Sequence, residues 1–208
     1  MDIISLLKAV GAVMPDSHFV GVSGKHMATY ITKDALFPHV LEVEKVCQMF
    51  AEKNKDVDVD VDVVAAPALG GIILAQGTAY ALSKIKGKEI LAIFTEKTGD
   101  GDQVFTRGYD KYVAGKNVLV LEDLTTTGGS VQKVIASVKK AGGNVLAVSV
   151  MVNKSPKVVN SEMFGVPLRA LGELEIENYD AENCPLCKNN IPINTDFGHG
   201  KKFLESKK

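Results

Sequence analysis

The sequence predicts an α/β protein built on a doubly wound parallel sheet, and three observations predict it. Four short apolar segments, Val61–Ala66, Ile90–Phe94, Val118–Leu121 and Val145–Val152, read as strands buried on both faces, too apolar for strands with one wet side. Segments of helical pattern, Ile72–Leu82 and Ser130–Ala141, alternate with them at the spacing of βαβ units. Loops rich in glycine or threonine, at 67–71, 95–108 and 124–130, fall at strand ends, and such sheets bind ligands outside the carboxyl ends of their strands.

The elements follow in order. Ile3, Ile4, Leu6, Leu7 and Val10 recur at helical spacing and predict an amphipathic first helix. Met14–Thr32 carries Pro15, Gly21, Gly24 and alternating Phe19, Val20 and Val22, as a hairpin or irregular strand pair would. Phe37–Lys53 is helical in pattern, with Val40, Leu41, Val43, Val46, Cys47 and Phe50 on one broad apolar face. The Asp/Val alternation of residues 56–63 has the period of a half-buried strand and leads into the apolar run at Val61–Ala66. Pro67–Gly71 breaks that run. The stretch from Thr95 to Gly108 is polar and glycine-bearing. Ser130–Ala141 ends in Gly142–Gly143 with Lys139 and Lys140 in its last turn, a helix-stop pattern.

Bulk properties narrow the function classes. A chain of 208 residues suits one domain, or one with a small appendage. With 46% apolar and 24% charged residues the composition is that of an ordinary globular protein. A net charge of −1 gives no global reason to bind nucleic acid, although a small anion needs only a few local cations. No apolar run approaches the roughly 18–20 residues of a membrane span, and Asp2 and Lys8 interrupt an N-terminus that lacks the features of a secretory signal. Three cysteines argue against a disulfide framework and for a reducing compartment, so the cytoplasm is expected.

The segment VLVLEDLTTTGGS, Val118–Ser130, carries the most chemistry. An apolar strand delivers Glu122 and Asp123, followed by Thr125, Thr126, Thr127, Gly128, Gly129 and Ser130, and then a helix. Hydroxyls and unhindered backbone N–H groups at a helix N-terminus attract an anion, and the helix dipole adds to them. Taken alone, TTGGS is equally an ordinary capped helix start. The two carboxylates change that reading, because they would repel a bare phosphate but accept hydrogen bonds from a vicinal diol. A sugar phosphate satisfies both halves. Neither G-x-x-x-x-G-K-[ST] nor a post-strand G-x-G-x-x-G is present.

This segment resembles the phosphoribosyl-pyrophosphate signature of the type I phosphoribosyltransferases. The resemblance implies that family's sheet fold with a small hood, the hood formed by about residues 1–35 and 155–208 and the core by about 36–154 of a single domain. It assigns Glu122 and Asp123 to the ribose hydroxyls and Thr125, Thr126, Thr127, Gly128, Gly129 and Ser130 to the 5′-phosphate. Further segments resemble the orotate branch. HFVGVSGKHMATYITK, His18–Lys33, is similar to its N-terminal element, which implies that Lys25 enters the active site beside base and pyrophosphate; by itself Lys25 reads as a solvated turn lysine. AAPALGGI resembles the pyrophosphate loop, which in relatives contains a strained or cis peptide. It implies roles for Ala66, Pro67, Gly70 and Gly71, a small-residue turn able to offer N–H groups to an anion.

Phe94–Asp110 falls where the family keeps a mobile catalytic lid, able to close over substrate. It departs from the orotate pattern: Glu96–Lys97 stands in place of an Arg-Lys pair, and no histidine follows. Lys97 matches the retained lysine, and Arg107 and Lys111 are candidate replacements for the missing cations. After the strand Val145–Val152, Asn153–Lys154 replaces the usual Asp-Arg. Lys154 can neutralise an acceptor carboxylate but lacks the bidentate fork of arginine.

The resemblance implies Mg²⁺-dependent transfer of phosphoribose from phosphoribosyl pyrophosphate to a nucleobase, with orotate expected first, as in pyrimidine biosynthesis, and with Lys25, Lys97 and Asp123 in catalytic roles. It also implies a homodimer; no nucleic-acid or membrane partner is expected. Two rivals stand: transfer to a purine or other base, suggested by Lys154, and a non-catalytic sensor of the donor, suggested by the altered lid. The C-terminal Cys184-Pro-Leu-Cys187 with His199 supplies up to three zinc ligands, with Asp196 or Cys47 as the visible candidates for a fourth; a plain packing tail is the alternative.

Overall fold

Residues 2–21, 23–56 and 60–206 are described by the computed structural model. In chain order the helices and strands are α1 (Ile3–Ala9), β1 (Val13–Met14), β2 (Phe19–Val20), β3 (His26–Met27), β4 (Tyr30–Ile31), α2 (Val40–Asn54), β5 (Val63–Pro67), α3 (Gly70–Lys86), β6 (Leu91–Lys97) and β7 (Gln103–Val104). They continue with β8 (Asn117–Thr125), α4 (Gly129–Lys140), β9 (Asn144–Asn153), α5 (Ser161–Phe164), β10 (Leu168–Glu173), α6 (Pro185–Lys188) and α7 (Gly200–Glu205). The chain forms two compact units, residues 1–3 with 39–174, and residues 4–38 with 175–208.

The larger unit holds a six-stranded sheet in the order β10-β9-β8-β5-β6-β7. All its pairings are parallel except β6–β7. This is the predicted fold class. Each of the four expected apolar strands is present, and β5 is buried along its whole length, as a central strand must be. One side of the sheet packs on α4 through Val63, Ala65, Val118, Val120, Val131, Val134, Val138 and Val148, all essentially inaccessible. Each fully buried side chain of this size contributes about 1.5–3 kcal/mol relative to exposure, so this valine-rich layer anchors the sheet.

Several boundaries moved. The strand expected at Val118–Leu121 continues to Thr125, because β9 runs beside it as far as Asn153 and completes its hydrogen bonds. The acidic pair therefore sits within a strand and not after one. The alternating segment enters the sheet only at Val63, with Val61 buried just before it; Val57, Asp58 and Val59 lie outside the described residues. On α2, Val43, Val46, Cys47 and Phe50 are buried as expected, but Val40 and Leu41 are 74% and 70% exposed. The first turn of that helix presents its apolar residues outward. The edge strand β10 was not foreseen; its residues are only half-buried and carry no strong apolar run.

The smaller unit is built from two nested antiparallel ladders, β1–β4 and β2–β3, as the hairpin pattern of Met14–Thr32 predicted. Val22 lies outside the described residues. The C-terminal segment joins the same unit through a bridge between His26 and Tyr179 and through the amides of Asn194 and His199, which donate to His18 and Val20 carbonyls at 2.7 and 2.8 Å.

Candidate functional site

Parallel strands end on a common edge, and the larger unit's candidate residues collect there. Pro67 of β5 lies beside Thr95 of β6, and Thr125 of β8 beside Asn153 of β9. At the end of β8, Glu122 and Asp123 are 7% and 8% exposed. Backbone donors meet their charge: the Asp123 amide donates to Glu122 Oε1 at 3.0 Å and the Leu124 amide to Asp123 Oδ1 at 2.5 Å. Bonds to ionised acceptors of this kind offset the cost of burying two adjacent carboxylates.

Thr125 is buried, whereas Thr126, Thr127 and Ser130 face solvent around the start of α4. Gly128 begins that helix at φ +74, a left-handed conformation, and a Cβ there would meet Met163 Sδ at 2.7 Å and the Phe164 ring at 3.2 Å. Only glycine satisfies both constraints. No side chain caps α4, so its first N–H groups point from a helix N-terminus along Thr126–Ser130, the arrangement that receives a phosphate.

The second loop, 67–71, leaves β5 and contains a cis peptide between Ala68 and Leu69. The Ala68 amide donates to the Thr95 carbonyl at 2.8 Å, fixing the loop to β6. Gly71 packs where a Cβ would come within 2.7 Å of the Ala66 methyl, which explains the run of small residues: the first turn of α3 passes directly against the end of its own strand.

Lys154 follows β9, and its amide donates to the Thr125 carbonyl at 2.8 Å. Burial pushes its ammonium below the ordinary lysine value, and the nearby Asp123 carboxylate opposes that shift. Asn153 had been noted only as a departure from a pattern. It is buried, donates to the Val159 carbonyl at 2.9 Å and accepts from the Ser155 amide at 3.1 Å, so it shapes the turn that carries Lys154.

The segment expected as a mobile lid is a folded hairpin. Glu96 pairs with Val104 and Lys97 with Gln103. The buried Thr95 hydroxyl donates to Gln103 Oε1 at 2.8 Å, Lys133 of α4 donates to the Gly101 carbonyl at 2.6 Å, and Ser137 of α4 donates to the Gln103 carbonyl. Polarity and glycine content suggested a loop, but the polar groups are used to pin it. Lys97 stays exposed at the end of β6. Arg107 is paired with Glu96 at 3.0 Å, and Lys111 lies over the Tyr112 ring, so both substitute cations already have local partners.

In the smaller unit Lys25 follows the left-handed Gly24 and bonds Asp180 at 3.1 Å. The metal-ligand set expected from the sequence needs correction. The structure gathers Cys184 and Cys187 with His18 and His26, their ligand atoms all within 4.8 Å of one another, and His199 is not among them. His199 instead starts α7, its amide on Val20 and its carbonyl accepting from Phe203. Asp196 is also outside the group. Cys47 belongs to the larger unit, where burial raises its thiol to about 11 and it donates to the Leu74 carbonyl. The two histidines were visible in the sequence on either side of the SGK turn, but only the hairpin pairing brings them together.

A family model described as "Phosphoribosyl transferase domain" matches residues 33–166. The orotate phosphoribosyltransferase of Caldanaerobacter subterraneus subsp. tengcongensis is 38% identical over 87% of this chain and 88% of its own. That of Thermus thermophilus is 35% identical over 93% of this chain and 98% of its own. Among solved structures, Mycobacterium tuberculosis orotate phosphoribosyltransferase in complex with 5-phospho-alpha-D-ribosyl 1-diphosphate superimposes with a TM-score of 0.63, at 24% identity over 84% of this chain and 97% of that one. No helix among the described residues is long and apolar enough to cross a membrane.

Proposed function

Because this chain belongs to the type I phosphoribosyltransferase family, in its orotate branch, we propose that it moves phosphoribose from phosphoribosyl pyrophosphate to orotate, giving orotidine 5′-monophosphate and pyrophosphate. One observation supports the donor above all others: two buried carboxylates near the end of β8 are joined by a short loop to an uncapped helix N-terminus that a left-handed glycine opens. Glu122 and Asp123 accept the ribose 2′- and 3′-hydroxyls. Thr125–Ser130 hold the 5′-phosphate through hydroxyl and N–H donors. From the loop Ala66–Gly71, the amides of Leu69, Gly70 and Gly71 are offered to the diphosphate.

As the bond from the anomeric carbon to diphosphate lengthens, positive charge develops on the ribose and negative charge on the departing oxygens. Catalysis is then mostly positioning and charge compensation. Asp123 and Glu122 hold the ribose in place, and their charge suits the cationic ring. Lys97, with Lys25 assigned by the resemblance of its SGK element, offsets the leaving diphosphate. Lys154 faces the acceptor carboxylate. The proton on the attacking orotate nitrogen leaves as the N–C bond forms, and the departing diphosphate is the base available to take it.

The donor set also fits Mg²⁺. Glu122 and Asp123 are hard oxygen donors beside the ribose site, and Mg²⁺ takes most of its ligands from phosphate oxygens and water. When bound, it supplies charge neutralisation to the diphosphate. We further assign a homodimer contact to the outer face of α2 and α3. Val40, Ile73, Tyr80 and Ile85 are exposed there around a groove of about 620 Å³, with Leu41 exposed in the same first turn of α2. A cytoplasmic enzyme of pyrimidine biosynthesis fits these assignments.

The test is pyrophosphate release from phosphoribosyl pyrophosphate and Mg²⁺ with orotate, uracil, adenine, guanine and hypoxanthine supplied singly. Release with orotate alone supports the proposal. Release with a purine alone overturns the acceptor, and no release with any base overturns the enzymatic reading in favour of donor sensing.

A further inference from the structure

The smaller unit packs a small core, with Leu6, Leu7, Phe19, Val20, Ile31 and Leu36 buried, under short elements. Its ladders are two residues per strand, and its C-terminal helices have four and six residues. It is assembled from chain ends more than a hundred residues apart in sequence. Units of this kind commonly rely on a metal or a covalent staple.

At its centre lie His18, His26 and Cys184, each at most 1% exposed, with Cys187 half-buried beside them. His18 Nε2 is 3.8 Å from Cys184 Sγ and 3.8 Å from Cys187 Sγ, and His26 Nδ1 is 3.4 Å from Cys187 Sγ. Around a tetrahedral Zn²⁺, bond lengths near 2.3 Å to sulfur and 2.05 Å to nitrogen place neighbouring S and N atoms about 3.6 Å apart. The three S···N distances bracket that edge.

The two ring nitrogens are closer, at 2.7 Å. A hydrogen bond between the rings accounts for that contact by itself, but it gives no reason for two cysteine sulfurs to converge on the same point. A cation accounts for all four. Metal entry would part the nitrogens to about 3.3 Å, a shift of about 0.6 Å that side-chain rotation can supply.

The surroundings prepare the ligands. His18 Nδ1 lies 2.8 Å from the Ile191 carbonyl. A carbonyl only accepts, so Nδ1 carries the hydrogen and, in the neutral ring, Nε2 presents a lone pair to the group. Such an outer carbonyl is the usual partner of a metal-bound imidazole. His26 is fixed by paired backbone bonds to Tyr179 at 2.8 and 2.9 Å and by edge-on contact with Phe203. Cys184 precedes α6, whose first turn carries Cys187, the compact C-x-x-C geometry that lets two thiolates share one ion.

We propose that His18 Nε2, His26 Nδ1, Cys184 Sγ and Cys187 Sγ bind one Zn²⁺ in a closed tetrahedral site that fastens the N-terminal hairpin to the C-terminal segment. Two thiolates and two imidazoles select zinc over the hard Mg²⁺. With four protein ligands the site keeps no position for substrate, so its role is structural. His18 and His26 also flank the turn that bears Lys25, and the metal therefore fixes the base of that turn.

The test uses the full chain, purified under reducing conditions and equilibrated with Zn²⁺. About one zinc per chain is expected by elemental analysis, and replacement by Co²⁺ should give intense tetrahedral ligand-field bands with thiolate charge-transfer absorption. Cys187→Ser and His26→Ala should each bring metal below about one-tenth per chain, while His199→Ala keeps it at about one. Zinc below about one-tenth per chain in the unaltered protein, a six-coordinate Co²⁺ spectrum, or loss of metal in His199→Ala overturns the assignment. Should the ligand variants fail to fold, the Co²⁺ spectrum of the unaltered chain decides.

Discussion

The amide of Lys154 donates to the carbonyl of Thr125 at 2.8 Å. One backbone bond thus joins the residue assigned to the acceptor with the first residue of the phosphate loop. It continues the β8–β9 ladder one residue past the last register pair, Thr125 opposite Asn153. The sheet itself therefore holds these two assigned residues in register.

Asp123→Asn keeps shape and removes charge. An acceptor of ribose hydroxyls that loses its charge loses about 1.5–3 kcal/mol, or about ten- to a hundredfold in donor affinity. Calorimetric titration with phosphoribosyl pyrophosphate checks it, and an unchanged affinity would refute the ribose assignment.

The Lys154 ammonium is held below the ordinary lysine value of 10.5 by burial. A lysine with a lowered folded value binds protons less tightly folded than unfolded. Stability therefore rises as pH climbs from the folded value towards 10.5, and the full cost of the buried charge is present below that window. Grip on an anionic acceptor runs the opposite way, complete below the lowered value and lost as pH rises through it. In Lys154→Arg, which stays charged, the rise in KM for orotate at alkaline pH should vanish. A rise of the same size in both proteins sinks the assignment.

Gly128→Ala should destabilise by about 1–3 kcal/mol, since the new methyl meets both a left-handed backbone and Met163. Urea denaturation measures it. A loss under about 0.5 kcal/mol would show that the loop relaxes around the methyl.

Thr95 and Gln103 form the buried bond that closes the β6–β7 hairpin. Gln103→Leu leaves the Thr95 hydroxyl without its acceptor, at a cost of about 1–3 kcal/mol, and faster amide exchange is expected over 97–104. Thr95→Val in the same chain should recover part of the loss. If the double variant is no more stable than Gln103→Leu alone, the bond is not what pins the hairpin.

Val40→Glu and Tyr80→Glu on the α2–α3 face should convert a dimer into monomers in light-scattering chromatography, as charge is introduced into an apolar contact. A monomeric unaltered protein at micromolar concentration would remove that assignment.

The sequence by itself determined the fold class and singled out the strand–loop–helix proposed for the donor. Both rest on local chemistry: continuous apolar strands, their alternation with helices, and thirteen consecutive residues whose strand, acids, hydroxyls and glycines work as one segment. Features built from distant residues were decided only by tertiary structure. Pairing with β9 drew β8 on to Thr125 and put the acidic pair inside it. Polar residues that read as a loose lid found partners in Thr95 and α4 and became a hairpin. Val40 and Leu41 share a sequence pattern with buried neighbours, yet are 74% and 70% exposed. Cys184 and Cys187 announced themselves by spacing, but their companions were His18 and His26 rather than the nearby His199. Sequence proximity cannot rank ligands that a hairpin carries in from more than 150 residues away.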